Sequence, residues 1–274
     1  MNDLQRKELE LLKCFIDVCK KLDLNYYLVC GTALGAVKYQ GFIPWDDDVD
    51  VALPREDYNR FIRQAQALLP EGVFLQNYHT DPASPYIFSK LRLSNTTYIE
   101  KTVAHLPINH GIYIDVFPLD GYPSDEKEQR FLERQKRKLK LKITCVYQSK
   151  RSVKGAILVW AERMLGYHKR YSKYVKQLDA LLSRYSTEGS LVWCNHGNWQ
   201  GKKEYAPADQ YGHGADAVFE GLQVRVPALY DAYLTQKYGD WRGDPPAEDQ
   251  VGHHFYAVLD PDRPYTDYIK GAQK

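Results

Sequence analysis

The sequence predicts a mixed α/β fold, and three observations lead to this prediction. Residues 3–22 repeat apolar side chains at helical spacing, as an amphipathic helix does. Residues 26–38 combine a strand-like Tyr-Tyr-Leu-Val-Cys segment, a Gly-Thr turn and a short helical segment. Residues 48–53, Asp-Val-Asp-Val-Ala-Leu, alternate polar and apolar side chains with the period of a strand. The 274 residues suffice for a packed core, and we expect a single domain over 1–274.

Composition and charge argue against several classes of protein. The formal net charge is only +2 and no nucleic-acid-reading motif is recognisable, so we expect no nucleic-acid partner. The five cysteines are odd in number, widely spaced and without a Cys-x-x-Cys pair, which argues against a disulfide framework and a zinc ribbon. The N-terminal segment lacks the apolar core of a signal peptide, and no stretch approaches the ~20 apolar residues of a membrane span. We therefore expect a cytoplasmic protein with reduced thiols.

The segment 26–38 is the first candidate site. We expect Gly31 and Thr32 to form the turn between a strand over 26–30 and a helix over 33–38. A strand, a small turn and a helix present backbone N–H groups and the positive end of the helix dipole to an anion. Gly31 and Thr32 are therefore candidates for binding a phosphate.

Four aspartates crowd together directly after this segment, at Asp46, Asp47, Asp48 and Asp50. In a strand over 48–53, the side chains of Asp48 and Asp50 point to one face, roughly 6–7 Å apart. Two such carboxylates repel each other, and a hard divalent cation with oxygen ligands relieves the repulsion. We therefore expect Mg²⁺ or Mn²⁺ at this strand. For Asp46 and Asp47, a solvated loop is the alternative interpretation.

A helix over 55–69 and strands over 73–78 and 87–93 are predicted next, and residues 96–99 are expected to extend the hairpin of these two strands. In the second of these strands, Lys90 and Arg92 share one face. Two cations opposite an acidic metal site are suited to holding the phosphates of a donor molecule. A solvated edge face is the alternative, and the residues alone leave both interpretations open.

Residues 110–121 contain an unusual carboxylate. In the string His-Gly-Ile-Tyr-Ile-Asp-Val-Phe-Pro-Leu-Asp-Gly, Asp115 lies inside an otherwise apolar strand. A carboxylate in such a strand is costly to bury unless it is paired or bound to a metal. Metal binding and a structural hydrogen bond to a loop both remain open for Asp115. Asp120 follows Pro118 and is expected to cap a turn.

A basic, helical insertion is predicted over about 123–190. Residues 125–142 form a strongly basic helix, and residues 171–185 form another helix. Between them, a second basic cluster at 150–154 precedes the apolar patch Ile-Leu-Val-Trp at 157–160. Basic stretches beside apolar and aromatic residues suit an anionic membrane surface or a phosphate-rich acceptor. A solvated helix face is the alternative.

The C-terminal third contains a strand-like segment over 219–226 and a helix over 230–237. Farther on, His253 and His254 are candidates for an acid, a base or a phosphate contact, with a structural role as the alternative. Residues 193–199, Trp-Cys-Asn-His-Gly-Asn-Trp, offer rings for cation–π contacts with a quaternary ammonium group. Ordinary loop packing is the other interpretation of this segment.

The string GTALGAVKYQGFIPWDDDVDVAL, residues 31–53, resembles the LicD family, which is similar to the fukutin-related proteins. A strand ending in Gly-Thr, followed by a strand with Asp-x-Asp, is the signature of the DNA polymerase beta-like nucleotidyltransferase fold. The string at 110–121 and the later Phe-x-Gly, Val-Pro and Tyr-Gly-Asp pieces extend the resemblance over about residues 10–255. It implies a core over about 3–122 and 191–256, interrupted by the helical basic insertion.

The resemblance also implies a function. LicD-like proteins transfer phosphocholine from CDP-choline to a sugar of a cell-surface glycan, as in teichoic acid or lipopolysaccharide. We expect the same metal-dependent reaction here, with a lipid-linked glycan as acceptor and a peripheral contact at the inner face of the membrane. The alternatives are a CDP-ribitol or CDP-glycerol polyol-phosphate transferase, a nucleotidyltransferase and a non-catalytic binding protein.

The expected site residues combine the residue patterns above with the positions that match the family. The expected metal ligands and catalytic residues are Asp48, Asp50 and Asp115. The expected donor-phosphate contacts are Gly31, Thr32, Lys38, Lys90 and Arg92. Further candidates are Trp45, Asp46, Asp47, His110, His253 and His254. Among these, Trp45 is expected to hold the acidic strand or to form a wall of the donor pocket.

Overall fold

The computed structural model describes residues 1–148, 160, 164–198, 200–252 and 255–269. Its α-helices in these ranges are α1 (Asp3–Leu22), α2 (Cys30–Tyr39), α3 (Arg55–Gln64), α4 (Glu126–Thr144), α5 (Tyr171–Leu182), α6 (Ala208–Tyr211), α7 (Tyr230–Tyr238) and α8 (Thr266–Ile269). Its strands are β1 (Tyr27–Leu28), β2 (Asp50–Pro54), β3 (Val73–Gln76), β4 (Ser89–Leu93), β5 (Thr97–Glu100), β6 (Ile112–Gly121), β7 (Val192–Cys194), β8 (Tyr205–Pro207), β9 (Ala215–Phe219), β10 (Leu222–Val226) and β11 (Tyr256–Asp260).

A mixed sheet forms the centre of the fold. Its main strand order is β1-β2-β6-β4-β3, and β7 and β8 extend it from the far end of β6. The neighbours β2 and β6 run parallel, whereas the other paired strands of this sheet run antiparallel. The predicted mixed α/β fold is therefore confirmed. The more specific DNA polymerase beta-like core and the single-domain organisation stay predictions.

Helices α1 and α3 cover one face of this sheet. Helix α1 contacts β4 and β6, and α3 contacts β2 and β6. The apolar stripe predicted for α1 is confirmed, because Leu11, Leu12 and Phe15 have no exposed surface. The Phe15 ring meets Phe61 of α3 with 5.3 Å between ring centres. In β6, Ile114 belongs to this core, and the neighbouring Asp115 therefore points to the other face of the sheet.

Two predicted boundaries near the acidic segment are wrong. Helix α2 begins at Cys30 rather than after the Gly-Thr turn, because Cys30 takes a left-handed φ of 53° that turns the chain directly into the helix. Strand β2 begins at Asp50 rather than at Asp48. Asp48 therefore lies in the loop before the strand, and strand geometry does not set its distance from Asp50.

Two later predictions also need correction. Strand β6 continues through Pro118 to Gly121, with Pro118 paired to Leu53 of the parallel strand β2. Asp120 caps no turn there; it is fully buried and accepts two hydrogen bonds from the Arg55 guanidinium, at 2.6 and 3.0 Å. Strand β5 pairs with β11 rather than extending the β3–β4 hairpin.

The predicted insertion is helical where the structure describes it, and it joins the core. Helices α4 and α5 pack against each other. Ile143 of α4 and Leu178 of α5 belong to the main hydrophobic cluster. The basic cluster at 150–154 and all of the apolar patch except Trp160 lie outside the described residues. Among the described residues, no helix is both long enough and apolar enough to cross a bilayer.

Candidate active site

A cavity of about 1390 Å³ opens beside the mixed sheet. Its walls come from α2 and the acidic loop on one side and from β2, β4 and β6 at the base. Helix α4, residues 196–198 with Gln200, and parts of the segment 238–251 also line it. The carboxylates of Asp46, Asp48, Asp50 and Asp115 all lie at its surface. The cavity therefore gathers residues that are far apart in the sequence.

Three charged side chains form a row across the base of the cavity. Asp50 of β2 is paired with Asp115 of β6, and Asp115 is paired in turn with Lys90 of β4. Residues at paired positions point to the same face of a sheet. The Lys90 ammonium donates to Asp115 Oδ1 at 2.7 Å, and it lies 3.4 Å from the ring centre of Tyr113. The sheet register thus holds two carboxylates and one cation side by side.

The loop before β2 adds further carboxylates. One ligand oxygen from each of Asp46, Asp47 and Asp48 fits within a 4.8 Å group, a separation at which carboxylates can share a metal ion. Burial, and next the charge of Asp48, raises the pKa of Asp46 to about 8. A nearby divalent cation would relieve this cost, and oxygen donors are the ligands that Mg²⁺ and Mn²⁺ prefer. The carboxylates of this loop therefore fit a divalent cation. Of the three predicted ligands, only Asp48 belongs to this group, whereas Asp50 and Asp115 lie outside it.

Gly31 and Thr32 lie in the first turn of α2, but only Gly31 faces the cavity. A Cβ atom at Gly31 would lie 2.8 Å from Asp46 Oδ2, so the glycine gives the Asp46 carboxylate room beside the first turn of the helix, at the positive end of its dipole. The buried Thr32 Oγ1 accepts a hydrogen bond of 2.8 Å from the Asp50 backbone N–H. Thr32 therefore fixes the first residue of β2 through a buried hydrogen bond, whereas Gly31 lies at the cavity surface.

The start of α2 is anchored from two other parts of the chain. The Cys30 backbone N–H donates to the Tyr233 hydroxyl at 3.1 Å, and the Asn198 side-chain amide donates to Cys30 Sγ at 3.2 Å. Burial raises the pKa of the Cys30 thiol well above its usual value. Cys30 is therefore a neutral, packed group that fixes the left-handed turn at the edge of the cavity.

Lys38 and Trp45 lie in the cavity wall, as candidates for the donor pocket should. The Lys38 ammonium donates to Asp244 Oδ1 at 2.6 Å and to the Gly243 carbonyl at 2.9 Å. The Trp45 ring meets Tyr39 edge-on, with 6.3 Å between ring centres. Lys38 thus ties the end of α2 to the C-terminal segment, and its positive charge is partly neutralised before any donor binds.

Arg92 and His110 do not lie at the cavity surface; both are fully buried. Arg92 donates to the Gln76 side-chain oxygen at 2.6 Å and to the Gly111 carbonyl at 2.7 Å. His110 Nε2 donates to the Leu106 carbonyl at 3.0 Å, and burial lowers the pKa of the ring. These contacts give both side chains a structural role.

The C-terminal histidines and the aromatic segment 193–199 are the remaining candidates. His253 and His254 lie outside the described residues, so their roles stay predictions. In the aromatic segment 193–199, Trp193 stacks on Tyr211 and its Nε1 donates to the Thr187 carbonyl, which is ordinary packing. Trp199 lies outside the described residues.

Several cavity residues were not predicted from the sequence. Glu100 of β5 lies at the cavity, 3.3 Å from the Arg92 guanidinium and 3.9 Å from the Lys90 ammonium. Lys140 of α4 and His196 also line it. A sequence signal existed for Lys140: it follows Leu132, Lys136 and Leu139 on the helix stripe that ends in the buried Ile143. His196 lies in the aromatic segment 193–199 that the sequence singles out. For Glu100 we find no local signal, since only the tertiary fold brings it to the cavity.

Clustered carboxylates and lysines in one cavity suit the binding of a metal-bound phosphate ester. Comparisons with known proteins show the family to which the chain belongs. Residues 23–142 match the family profile described as LicD/FKTN/FKRP, nucleotidyltransferase domain. The chain is 30% identical over 266 residues to the lipopolysaccharide cholinephosphotransferase LicD of Haemophilus influenzae. The aligned region covers 90% of this chain and 93% of that relative.

A second relative matches a smaller region. An uncharacterised protein of Rickettsia prowazekii is 31% identical over 114 residues, which cover 42% of this chain and 39% of that protein. The near full-length similarity to the Haemophilus protein decides the assignment. The chain belongs to the LicD family, as its acidic motif predicted.

Proposed function

We propose that this protein is a phosphotransferase that moves phosphocholine from CDP-choline to a sugar of a cell-surface glycan, of the lipopolysaccharide or teichoic acid type. The observation that carries this proposal is the similarity, over 90% of the chain, to a relative named lipopolysaccharide cholinephosphotransferase. The cavity supports it independently, because its carboxylates, lysines and aromatic rings match the diphosphate and quaternary ammonium groups of that donor.

Asp48, Asp50 and Asp115 would hold Mg²⁺ or Mn²⁺, which when bound offsets the negative charge of the donor diphosphate. Asp115 accepts the proton of the acceptor hydroxyl in the proposed reaction. The acceptor oxygen then forms a bond to the phosphorus of phosphocholine, and the bond from that phosphorus to the bridging oxygen breaks, so that CMP leaves. Lys90, held beside Asp115 at 2.7 Å, keeps this carboxylate in place and adds positive charge near the phosphates.

Aromatic rings at the cavity supply a place for the choline group. Tyr39 and Trp45 lie on the α2 side, and Tyr86 and Phe88 lie on the β4 side. The electron-rich faces of such rings attract a quaternary ammonium ion that cannot form hydrogen bonds. We propose that one of these two aromatic walls receives the trimethylammonium group and that the diphosphate lies toward the carboxylates.

Helix α4 offers a surface for the membrane that carries a lipid-linked acceptor. One exposed stripe of this helix combines five cations with two large apolar side chains: Lys127, Arg130, Phe131, Arg134, Arg137, Lys138 and Leu141. Such a surface suits the anionic inner leaflet of a membrane, where each cation contributes about 1 kcal/mol. We propose a peripheral contact of a cytoplasmic protein at this stripe.

Vesicle sedimentation tests the contact. We expect binding to vesicles with anionic lipids and weaker binding when Arg134, Arg137 and Lys138 are changed to glutamine. Three exposed lysines of α1, Lys13, Lys20 and Lys21, changed in the same way are the matched control. Equal loss in both triple variants, or no binding by the unchanged protein, would remove the proposed contact.

Calorimetry with Mg²⁺ present tests the donor. CDP-choline, CDP-ribitol, CDP-glycerol and CTP are titrated in turn, with Asp50→Asn as the variant and the exposed Asp17→Asn as its control. We expect selective binding of CDP-choline that is metal-dependent and lost in Asp50→Asn alone. Preference for a CDP-polyol would replace the donor, and preference for CTP would favour nucleotidyl transfer. A folded protein that binds none of them would favour the non-catalytic interpretation.

A further inference from the structure

Lys140 of α4 differs from the other two lysines at the cavity. Lys38 is paired with Asp244 and Lys90 with Asp115, both within 2.7 Å. Within the described part of the chain, Lys140 has no carboxylate within 4 Å, and its one described hydrogen bond goes to the His196 carbonyl at 2.8 Å. A lysine ammonium offers three donors. Lys140 therefore brings positive charge and donor capacity into the cavity that its described protein contacts do not use up.

The surroundings of Lys140 favour an anion. Burial, and next the charge of Lys136, lowers the pKa of Lys140 to about 8, so that the side chain still carries its charge at neutral pH. A partly buried cation gains most when an anion replaces the water that it has lost. Lys136 itself is already engaged with Glu133 at 2.7 Å.

His196 adds a second observation at the same place. It lines the cavity and is 4% exposed, and its Nε2 has no hydrogen-bond partner among the residues that the structure describes. Burial lowers the pKa of this ring well below its usual value, so the ring is neutral. An unpaired polar atom at a buried position is costly and indicates a missing partner. Two residues on, Asn198 lies at the cavity and reaches the start of α2 through its bond to Cys30.

We propose that Lys140, together with His196 and Asn198, forms a phosphate-binding subsite in the wall of the cavity, separate from the carboxylates that would hold the metal ion. This inference rests on the proposed function for its ligand, a phosphate group of a substrate. That phosphate belongs either to the donor diphosphate or to the acceptor glycan. The hydrogen bond to the His196 carbonyl orients the Lys140 ammonium. The neutral imidazole of His196 and the side-chain amide of Asn198 lie beside it and add no charge that would repel a phosphate.

Pyrophosphate binding tests the subsite without any assumption about choline. The titration is done with EDTA, so that the carboxylates hold no metal ion, on the unchanged protein and on Lys140→Gln, Lys140→Arg and Lys176→Gln. Lys176 is an exposed lysine of the neighbouring helix α5 and serves as the matched control. We expect about tenfold weaker binding in Lys140→Gln, which loses one charge-assisted contact, and near-normal binding in the other two variants. Thermal melts confirm that each variant is folded.

Equal pyrophosphate affinity in the unchanged protein and Lys140→Gln would overturn the inference, as would the absence of binding by the unchanged protein. Two further arms identify the source of the phosphate. Weaker CDP-choline binding in Lys140→Gln, with Mg²⁺ present, assigns it to the donor. An unchanged donor affinity with a higher KM for the glycan assigns it to the acceptor. If the protein does not use CDP-choline at all, the proposed function fails, but the pyrophosphate comparison still decides for or against the subsite.

Discussion

Asp50 and Asp115 stand at paired positions on the two parallel strands of the central sheet. Each is 7% exposed, and both open into the same cavity. The backbone hydrogen bonds of the sheet fix the spacing of the two Cα atoms, so that both carboxylates start from neighbouring positions. A rigid pair of this kind is suited to binding a cation with a defined geometry.

Replacing either carboxylate by its amide tests this pair. We expect Asp50→Asn and Asp115→Asn each to lower the transfer rate by about 10²–10³-fold, as the loss of one preorganised electrostatic group does. The fold should persist in Asp50→Asn, because asparagine keeps the shape of the side chain. Asp115→Asn also removes the carboxylate paired with the buried Lys90, so we expect a lower free energy of unfolding in this variant. Transfer rates and thermal melts are measured side by side, with the exposed Asp17→Asn as control. Activity within about threefold of the unchanged protein would exclude the pair from the chemistry.

Thr32 provides a second test of the Asp50 position, because its hydroxyl binds the Asp50 backbone and does not line the cavity. Thr32→Val keeps the shape but removes the acceptor of the buried Asp50 N–H. We expect the free energy of unfolding to fall by about 1–3 kcal/mol. We also expect metal affinity to fall by about 10- to 100-fold, as when a supporting residue is lost. Thr32→Ser keeps the hydroxyl and should resemble the unchanged protein; a serine variant as damaged as the valine variant would contradict this role.

Arg55 connects the helical insertion with the sheet. Its guanidinium binds Asp120 of β6 and also Asp179 of α5 at 3.0 Å, and all of these groups are largely buried. Removing one partner leaves a buried charge without compensation. We therefore expect Arg55→Met to lower the free energy of unfolding in urea by about 3–5 kcal/mol. The exposed Arg63→Met on the same helix is the control, and a loss below about 1 kcal/mol in Arg55→Met would show that the pair is dispensable.

The buried ring of His110 should make the free energy of unfolding depend on pH. Burial holds the pKa of this ring below its usual value, so the unfolded chain binds a proton at a higher pH than the folded protein does. The resulting stability is fully present above about pH 6.5 and is lost as the pH falls through the folded pKa.

We expect the unchanged protein to lose stability below about pH 6.5 more steeply than His110→Gln, by up to about 1.4 kcal/mol per pH unit. Urea unfolding from pH 7.5 to 5 measures the slope. His79→Gln, at an exposed position, is the control. Parallel slopes for the unchanged protein and His110→Gln would contradict the role of the buried ring.

The sequence predicts the acidic site better than its surroundings. Asp115 stands out because a carboxylate among apolar strand residues breaks a local pattern, and Asp50 stands out because it belongs to a cluster of four aspartates in an alternating segment. Arg92 shows the limit of this reasoning, since the alternation that places it beside Lys90 cannot tell where the cavity ends and the core begins. The Asp120 pairing with Arg55 and the position of Glu100 depend on contacts between distant segments, which no local pattern reports.

The boundaries of α2 and β2 also depend on tertiary contacts. The Cys30 turn is held by Tyr233 and Asn198, which lie about 170 or more residues further along the chain. A propensity-based prediction therefore starts the helix at the Gly-Thr turn. The insertion illustrates the same point, because its basic helix looks uniformly solvated until packing buries the stripe that carries Lys140.

The most direct test of the proposed reaction is the transfer itself. The purified protein is incubated with Mg²⁺, CDP-choline and lipopolysaccharide that lacks phosphocholine, and CMP release and glycan mass are followed together. We expect release of one CMP for each phosphocholine group gained by the glycan, and neither product with Asp50→Asn. A glycan of unchanged mass, or one that gains a polyol phosphate from a CDP-polyol instead, would contradict phosphocholine transfer.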